Sequence, residues 1–197
     1  MMKGFTLIET LVAISILTLA MAAPFVAVEQ SITAADVSRD ELTANMLAQE
    51  GVEYVREVRD DDYLYNHTNG TTRSWMYGFD GSSGSVNCLD SSGRQCTVDP
   101  EATNEGGVAI VAHYNTVRPP VLYLSSGSAT IPFMYNQEKI GSATTFSRSV
   151  EIDCPGVSGA CVPSATSEIE ATVTVTWTTR NRPYTTTITE YLDNWLQ

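Results

Sequence analysis

In "FTLIETLVAISILTLAMAAPFVAV", residues 5 to 28, Glu9 is the only charged side chain. A helix of that length runs roughly 36 Å at a rise of about 1.5 Å per residue, enough to cross a hydrocarbon layer ~30 Å thick. A lone carboxylate inside such a layer costs about 2.5 to 3.5 kcal/mol. A carboxylate is the one group in this stretch that could do chemistry, and a low-dielectric setting penalises its charge. Something has to offset that cost.

Other residue types capable of chemistry form weaker patterns. The four cysteines fall into two local pairs, Cys88 with Cys96 and Cys154 with Cys161, and neither pair has the C-x2-C spacing of a zinc knuckle or a thioredoxin-like motif. Two disulfides are a simpler reading than four buried thiols. Each would close a short loop, contribute about 2.5 kcal/mol in the chain-entropy model, and act as a local staple of an exposed loop in an oxidising compartment. His67 and His113 are the only histidines, sit in different segments and read as surface or loop residues. Asp60, Asp61 and Asp62 lack the one-three-five spacing of a calcium loop. There is no G-x-S-x-G elbow or phosphate loop, and "GSSGS" at 81 to 85 reads as a flexible loop. No catalytic residue, metal site or cofactor is expected. A formal net charge of −12, with eleven Lys and Arg spread thinly, argues against a nucleic-acid partner.

These residues must be held by a small set of elements. After Val28 the chain turns polar without a linker, and residues 29 to 59 contain no Pro and one Gly, Gly51. Ala44, Leu47, Ala48, Gly51, Tyr54, Val55 and Val58 recur at three- and four-residue steps, one stripe of an amphipathic helix. Glu41, Glu50, Glu53, Arg56 and Arg59 fall mostly away from it. The continuous reading is one helix from about Phe5 to Arg59, roughly 80 Å long, ended by Asp60, Asp61 and Asp62, whose carboxylates oppose the negative end of the helix dipole. Pro24 would bend it or break it. Residues 63 to 107 read as loop, with Cys88 and Cys96 as a staple. Within it, Trp75, Tyr77 and Phe79 alternate like one more short strand, and the N-x-T sequences at Asn66 and Asn69 read as chance occurrences.

Strand signals follow in "GVAIVAHY", "PVLYLS", "TIPFMY", "FSRSVEIDC", "EIEATVTVTWTT" and "YTTTITEYL". In residues 170 to 179, Ala171, Val173, Val175 and Trp177 alternate with Thr172, Thr174, Thr176 and Thr178, so one face is buried and the other is a threonine ladder. "RNRP" turns the chain into a last strand. The expected head is an antiparallel meander of 145 to 153, 168 to 180 and 184 to 193 with the helix stripe across its apolar face, an α+β fold.

The N-terminal stretch "KGFTLIETLVAISIL" resembles the type III signal of type IV prepilins and type II secretion pseudopilins: a short basic leader, a Gly, then Phe and an apolar helix with Glu four residues past the junction. The resemblance covers about the first thirty residues. It implies that a prepilin peptidase cuts between Gly4 and Phe5 and methylates the Phe5 amine, and that Glu9 pairs with the Phe5 amine of a neighbouring subunit as helices stack into a filament. It divides the chain into a leader (1 to 4), a transmembrane and assembly half of the helix (5 to 28), an amphipathic half (29 to 60) and a β-rich head (61 to 197). The implied partners are the peptidase, other pilin or pseudopilin subunits and the membrane. The implied location is a single-pass membrane protein with its head outside the cytoplasm, then an extracellular pilus or periplasmic pseudopilus. The threonine-rich strand ending in Trp177, the basic turn and "LDNW" are similar to minor pilin heads. The last 36 residues contain no cysteine, unlike the C-terminal disulfide loop of well-known major pilins.

The same N-terminus admits a secretory signal peptide with Ala20-Met21-Ala22 as its cleavage site, which would release a β-rich, adhesin-like binding domain starting at Ala23. An uncut membrane anchor carrying that domain is the other form of this alternative. Glu9 is unwelcome in both.

Overall fold

A computed structural model describes residues 4, 6–81, 87–89, 95–103, 109–113, 121–126, 134–137, 139–157, 161–162 and 166–194, with the backbone alone at 99–103 and 109–113. The chain divides into two compact units, Met1–Asp40 and Glu41–Gln197. Helix α1, Leu7–Asn69, contributes to both.

In the first unit the stretch of α1 from Leu7 (78%) to Val28 (56%) is exposed and carries apolar residues on every side. It is a helix long and apolar enough to cross a membrane. Three hydroxyls in it are satisfied locally: Thr10, Ser15 and Thr18 each donate to a carbonyl three or four residues back, which removes their need for water. Pro24 lies inside α1 without ending it.

In the second unit the expected stripe is the buried one. Ala44, Leu47, Ala48, Gly51, Tyr54, Val55 and Val58 are all buried, joined by Val52 and Asp62. The helix does not stop at the three aspartates. It continues two turns to Asn69 and closes on Gly70, which has φ +61°. The Thr71 N–H donates to the Asn66 carbonyl at 3.2 Å, the six-to-one bond of a Schellman cap. Asp60 and Asp62 are paired with Arg59 and Arg73, so their charges do not act unopposed on the helix end.

Among the described residues, seven strands form one antiparallel sheet: β1 (Gln95–Thr103), β2 (Ala109–His113), β3 (Val121–Leu124), β4 (Tyr135–Asn136), β5 (Ser142–Asp153), β6 (Glu168–Thr179) and β7 (Arg182–Asp193). The expected meander is β5–β6–β7. The β6–β7 register is unbroken from Glu168↔Asp193 to Thr179↔Arg182. On its other side β5 is shared, with β3 pairing from Ser142 to Ser147 and β1 at Val150 and Glu151. The sheet therefore forks, and β4 and β2 extend its two branches. Part of the expected loop between 63 and 107 is thus helix, up to Asn69, or β1, from Gln95 to Thr103. Part of "TIPFMY", residues 130 to 133, lies outside the described residues.

The core lies between α1 and one face of the meander. Val150, Ile152, Ala171, Val173, Val175 and Trp177 point into it. A Cβ on Gly51 would stand 2.8 Å from Val173 Cγ1, so the glycine lets helix and sheet approach closely. Trp75, Met76 and Phe79 also enter the core, from a turn in which Phe79 and Asp80 N–H groups both donate to the Met76 carbonyl. This corrects the strand expected there: a helical turn, with partners four apart, buries both Trp75 and Phe79. On the other face Thr172 meets Thr189 at 3.2 Å and Thr174 meets Thr187 at 3.5 Å, rungs of the expected ladder.

Candidate assembly site at the N-terminal helix

Thr6 precedes the first residue of α1 and caps it. The Glu9 N–H donates to the Thr6 carbonyl at 3.1 Å and contacts its hydroxyl at 3.4 Å, and the Thr10 N–H donates to the same carbonyl at 3.3 Å. Thr6-Leu-Ile-Glu9 has the spacing of a capping box. That spacing was legible in the sequence and gives Glu9 a second physical reason to stand where it does: in the first turn a carboxylate faces the positive end of the helix dipole. Glu9 is exposed, and so is Gly4, with nothing within 4 Å of where its Cβ would be. Phe5 lies outside the described residues.

The cysteines pair as expected, Cys88 with Cys96 (Cα–Cα 6.0 Å) and Cys154 with Cys161 (5.4 Å). They are not staples of exposed loops. Cys88, Cys96 and Cys161 are buried, Cys96 sits on β1 opposite Val150, and the Cys161 N–H donates to the Leu89 carbonyl at 3.0 Å. Short apolar crosslinks fill core space here as well as shortening loops.

His67 is exposed on the last turn of α1, stacked on Tyr63. His113 belongs to β2, with its side chain outside the described residues. Among the described residues no group of three His, Cys, Asp or Glu is placed to hold a metal ion. Asn66 is committed to the helix end: its side-chain Oδ1 accepts from Thr71 Oγ1 and the Arg73 N–H, both at 2.9 Å, and its Nδ2 donates to the Arg73 carbonyl at 2.8 Å.

Two buried charges escaped the sequence reading. Arg148 on β5 is 1% exposed; it donates to the Leu47 and Val98 carbonyls at 3.0 and 2.9 Å and to Glu50 at 2.7 Å. Asp62, also 1% exposed, pairs with Arg73 at 2.6 Å and accepts from the Tyr77 N–H at 2.8 Å. Burial pushes its carboxyl up to about 6, against the opposite pull of Arg73 and Tyr77. No periodicity marks such residues, because a charge on an apolar stripe looks like an interruption until its partners are known.

Residues 1–23 match the family model described as the prokaryotic N-terminal methylation motif. No curated protein and no solved structure matches the chain.

Proposed function

We propose that the chain, whose first 23 residues match the prokaryotic N-terminal methylation motif, is a structural subunit of a type IV pilus or pseudopilus, made as a prepilin. Prepilin peptidase cuts between Gly4 and Phe5, and the new Phe5 amine is methylated. The precursor is held in the membrane by residues 5 to 28, with the disulfide-bonded head outside the cytoplasm. Subunits then leave the bilayer for the filament, where Glu9 of one copy pairs with the Phe5 amine of its neighbour. The reading has no catalytic step and needs no cofactor.

The observation that carries it is the motif at the head of an apolar helix exposed on every side, with one carboxylate in its first turn. Such a helix requires lipid or other helices around it. In either setting an amine and a carboxylate, each costly alone, neutralise one another. Two disulfides support an oxidising compartment for the head.

The test is the N-terminal sequence and intact mass of the protein from its native membrane. A chain starting at N-methylated Phe5 is expected. A start at Ala23 would place Glu9 in a discarded signal and leave a secreted binding domain. An uncut chain would leave a simple membrane anchor.

A further inference from the structure

Strand β7 is an edge of the sheet: it pairs with β6 along its length, and among the described residues no segment pairs with its other side. The turn into it, Arg180-Asn181, has φ of 50° and 63°, the type I′ conformation of a two-residue hairpin, and closes Thr179 on Arg182. The Arg182 N–H therefore points at β6. With an unbroken register the direction alternates from there. Tyr184, Thr186, Ile188 and Glu190 turn their backbone groups toward β6, and Thr185, Thr187, Thr189 and Tyr191 turn theirs outward. Pro183, which has no N–H, falls in the outward set, where it costs the ladder no bond. Edges are ordinarily blunted by charges, prolines or bulges, yet Tyr184 to Thr189 contains no charged residue, Gly or Pro and no bulge.

Beside that edge a groove of about 500 Å³ lies between β7 and α1, with Met46, Val52 and Ile188 as its apolar wall. Met46 is 67% exposed, so it serves no core. The carboxylates of the groove already have cations, Glu50 with Arg148, and Glu53 and Glu190 with Arg56. A side chain entering it meets methyl groups and internally paired charge, which favours an apolar visitor over an ionised one. Residues opposite one another on paired strands share a face. A strand added to β7 would therefore send every second side chain to the groove side, with Ile188 and Glu190, and the others to the ladder side, with Thr185, Thr187 and Thr189.

We propose that β7 and this groove together receive an extended segment of another polypeptide, which adds to the sheet as a further strand along Thr185 to Tyr191. Its side chains are apolar at every second position, for the groove, and Ser- or Thr-like between, for the ladder. Main-chain bonds to the outward groups supply affinity, and the groove supplies selectivity. The β7 of a second copy fits less well. Asn45 on α1 accepts from Thr186 and Arg56 bonds Glu190, so α1 and β7 run in the same direction. Paired antiparallel, two β7 strands would reverse the membrane helices of the two copies; paired parallel, each would turn its threonines to the groove of the other. The contact uses the head alone and is independent of N-terminal processing.

The probe is a synthetic peptide, acetyl-KTVTLTVTK-amide, with acetyl-KTVTPTVTK-amide as its control, added to full-length chain in detergent micelles and read by residue-resolved amide exchange. In dilute chain alone the outward amides of Thr185, Thr187, Thr189 and Tyr191 should exchange fast, and the inward amides of Tyr184, Thr186, Ile188 and Glu190 slowly. The alternating peptide should slow the outward set about tenfold or more and leave the inward set unchanged, and the proline peptide should slow neither. Met46→Lys, at an exposed position, should leave the fold intact and weaken peptide binding about tenfold. Thr187→Pro should abolish binding by removing one outward N–H. The proposal is overturned if the alternating peptide leaves the outward amides fast, if both sets slow together, if the proline peptide acts as well, or if Met46→Lys binds as the parent does. It is overturned too if the outward amides are slow in dilute chain, which would mean an edge already covered, or slow with rising protein concentration alone, which would make a second copy the occupant.

Discussion

Arg148 on β5 and Glu50 on α1 meet at 2.7 Å, 98 residues apart in sequence, with the Arg148 side chain 1% exposed and that of Glu50 39% exposed. The guanidinium also donates to the Leu47 and Val98 carbonyls, so one side chain ties the helix to both β5 and β1. Much of its value is in satisfying carbonyls that water does not reach. Arg148→Ala should destabilise the chain by about 3 kcal/mol, the cost of lost bonds plus a cavity. Arg148→Lys should cost nearly as much, because a single ammonium cannot span the same fork. Denaturant unfolding of the three chains measures both.

Gly51 marks the closest approach of α1 to the sheet. In an exposed helix Gly→Ala gains about 1 kcal/mol, but here the added Cβ would sit 2.8 Å from Val173 Cγ1 and 3.4 Å from Arg148 Cδ. Overpacking of about 1 to 3 kcal/mol should win. Gly51→Ala should lower the melting temperature, and Val173→Ala added to it should cost less than Val173→Ala alone costs the parent. Additive losses would mean that helix and sheet separate freely.

Asp62 should make the stability of the head depend on pH in an unusual direction. Folded, its carboxyl titrates near 6; unfolded, near 3.8. Between those values the folded state holds the extra proton, so stability falls as pH rises from about 4 to about 6, and the loss is complete above the folded value. For a side chain this buried the difference is on the order of 3 kcal/mol. Asp62→Asn keeps an acceptor for the Tyr77 N–H and removes the titration. Unfolding curves at pH 4, 5, 6 and 7 should show parent stability declining relative to the Asn variant, and parallel trends would refute the assignment.

Glu9→Ala separates pairing from membrane anchoring. It deletes a carboxylate from an apolar helix, so insertion should improve or stay unchanged, while incorporation into filaments should fall severely. Unchanged incorporation of a stable, processed Glu9→Ala chain would remove the proposed role of Glu9.

The capping box gives Thr6→Val a different signature from Glu9→Ala. Losing the cap should cost the helix about 1 kcal/mol and fray its first turn, seen as faster amide exchange at Glu9 and Thr10 in a micelle. Loss of filament with no fraying would show that Thr6 acts between subunits instead.

The linear sequence sufficed for whatever repeats at a fixed step or is confined to a few neighbours. The 24-residue apolar run, the methylation motif, the seven-residue stripe of α1 and the alternation of β6 are local patterns whose physical meaning does not depend on distant residues. The pairing of the four cysteines was also local, since each pair lies within eight positions. The end of α1 was misread because three aspartates look like a stop until Arg73 is seen against Asp62; the better signal was the Asn-Gly at 69 and 70. Only tertiary structure could bury Arg148 and Asp62, turn the Cys88–Cys96 staple into core and fork the sheet at β5. Each of these depends on which chain segments, tens of residues apart, exclude water from one another, and desolvation is a property of that enclosure and not of any residue in it.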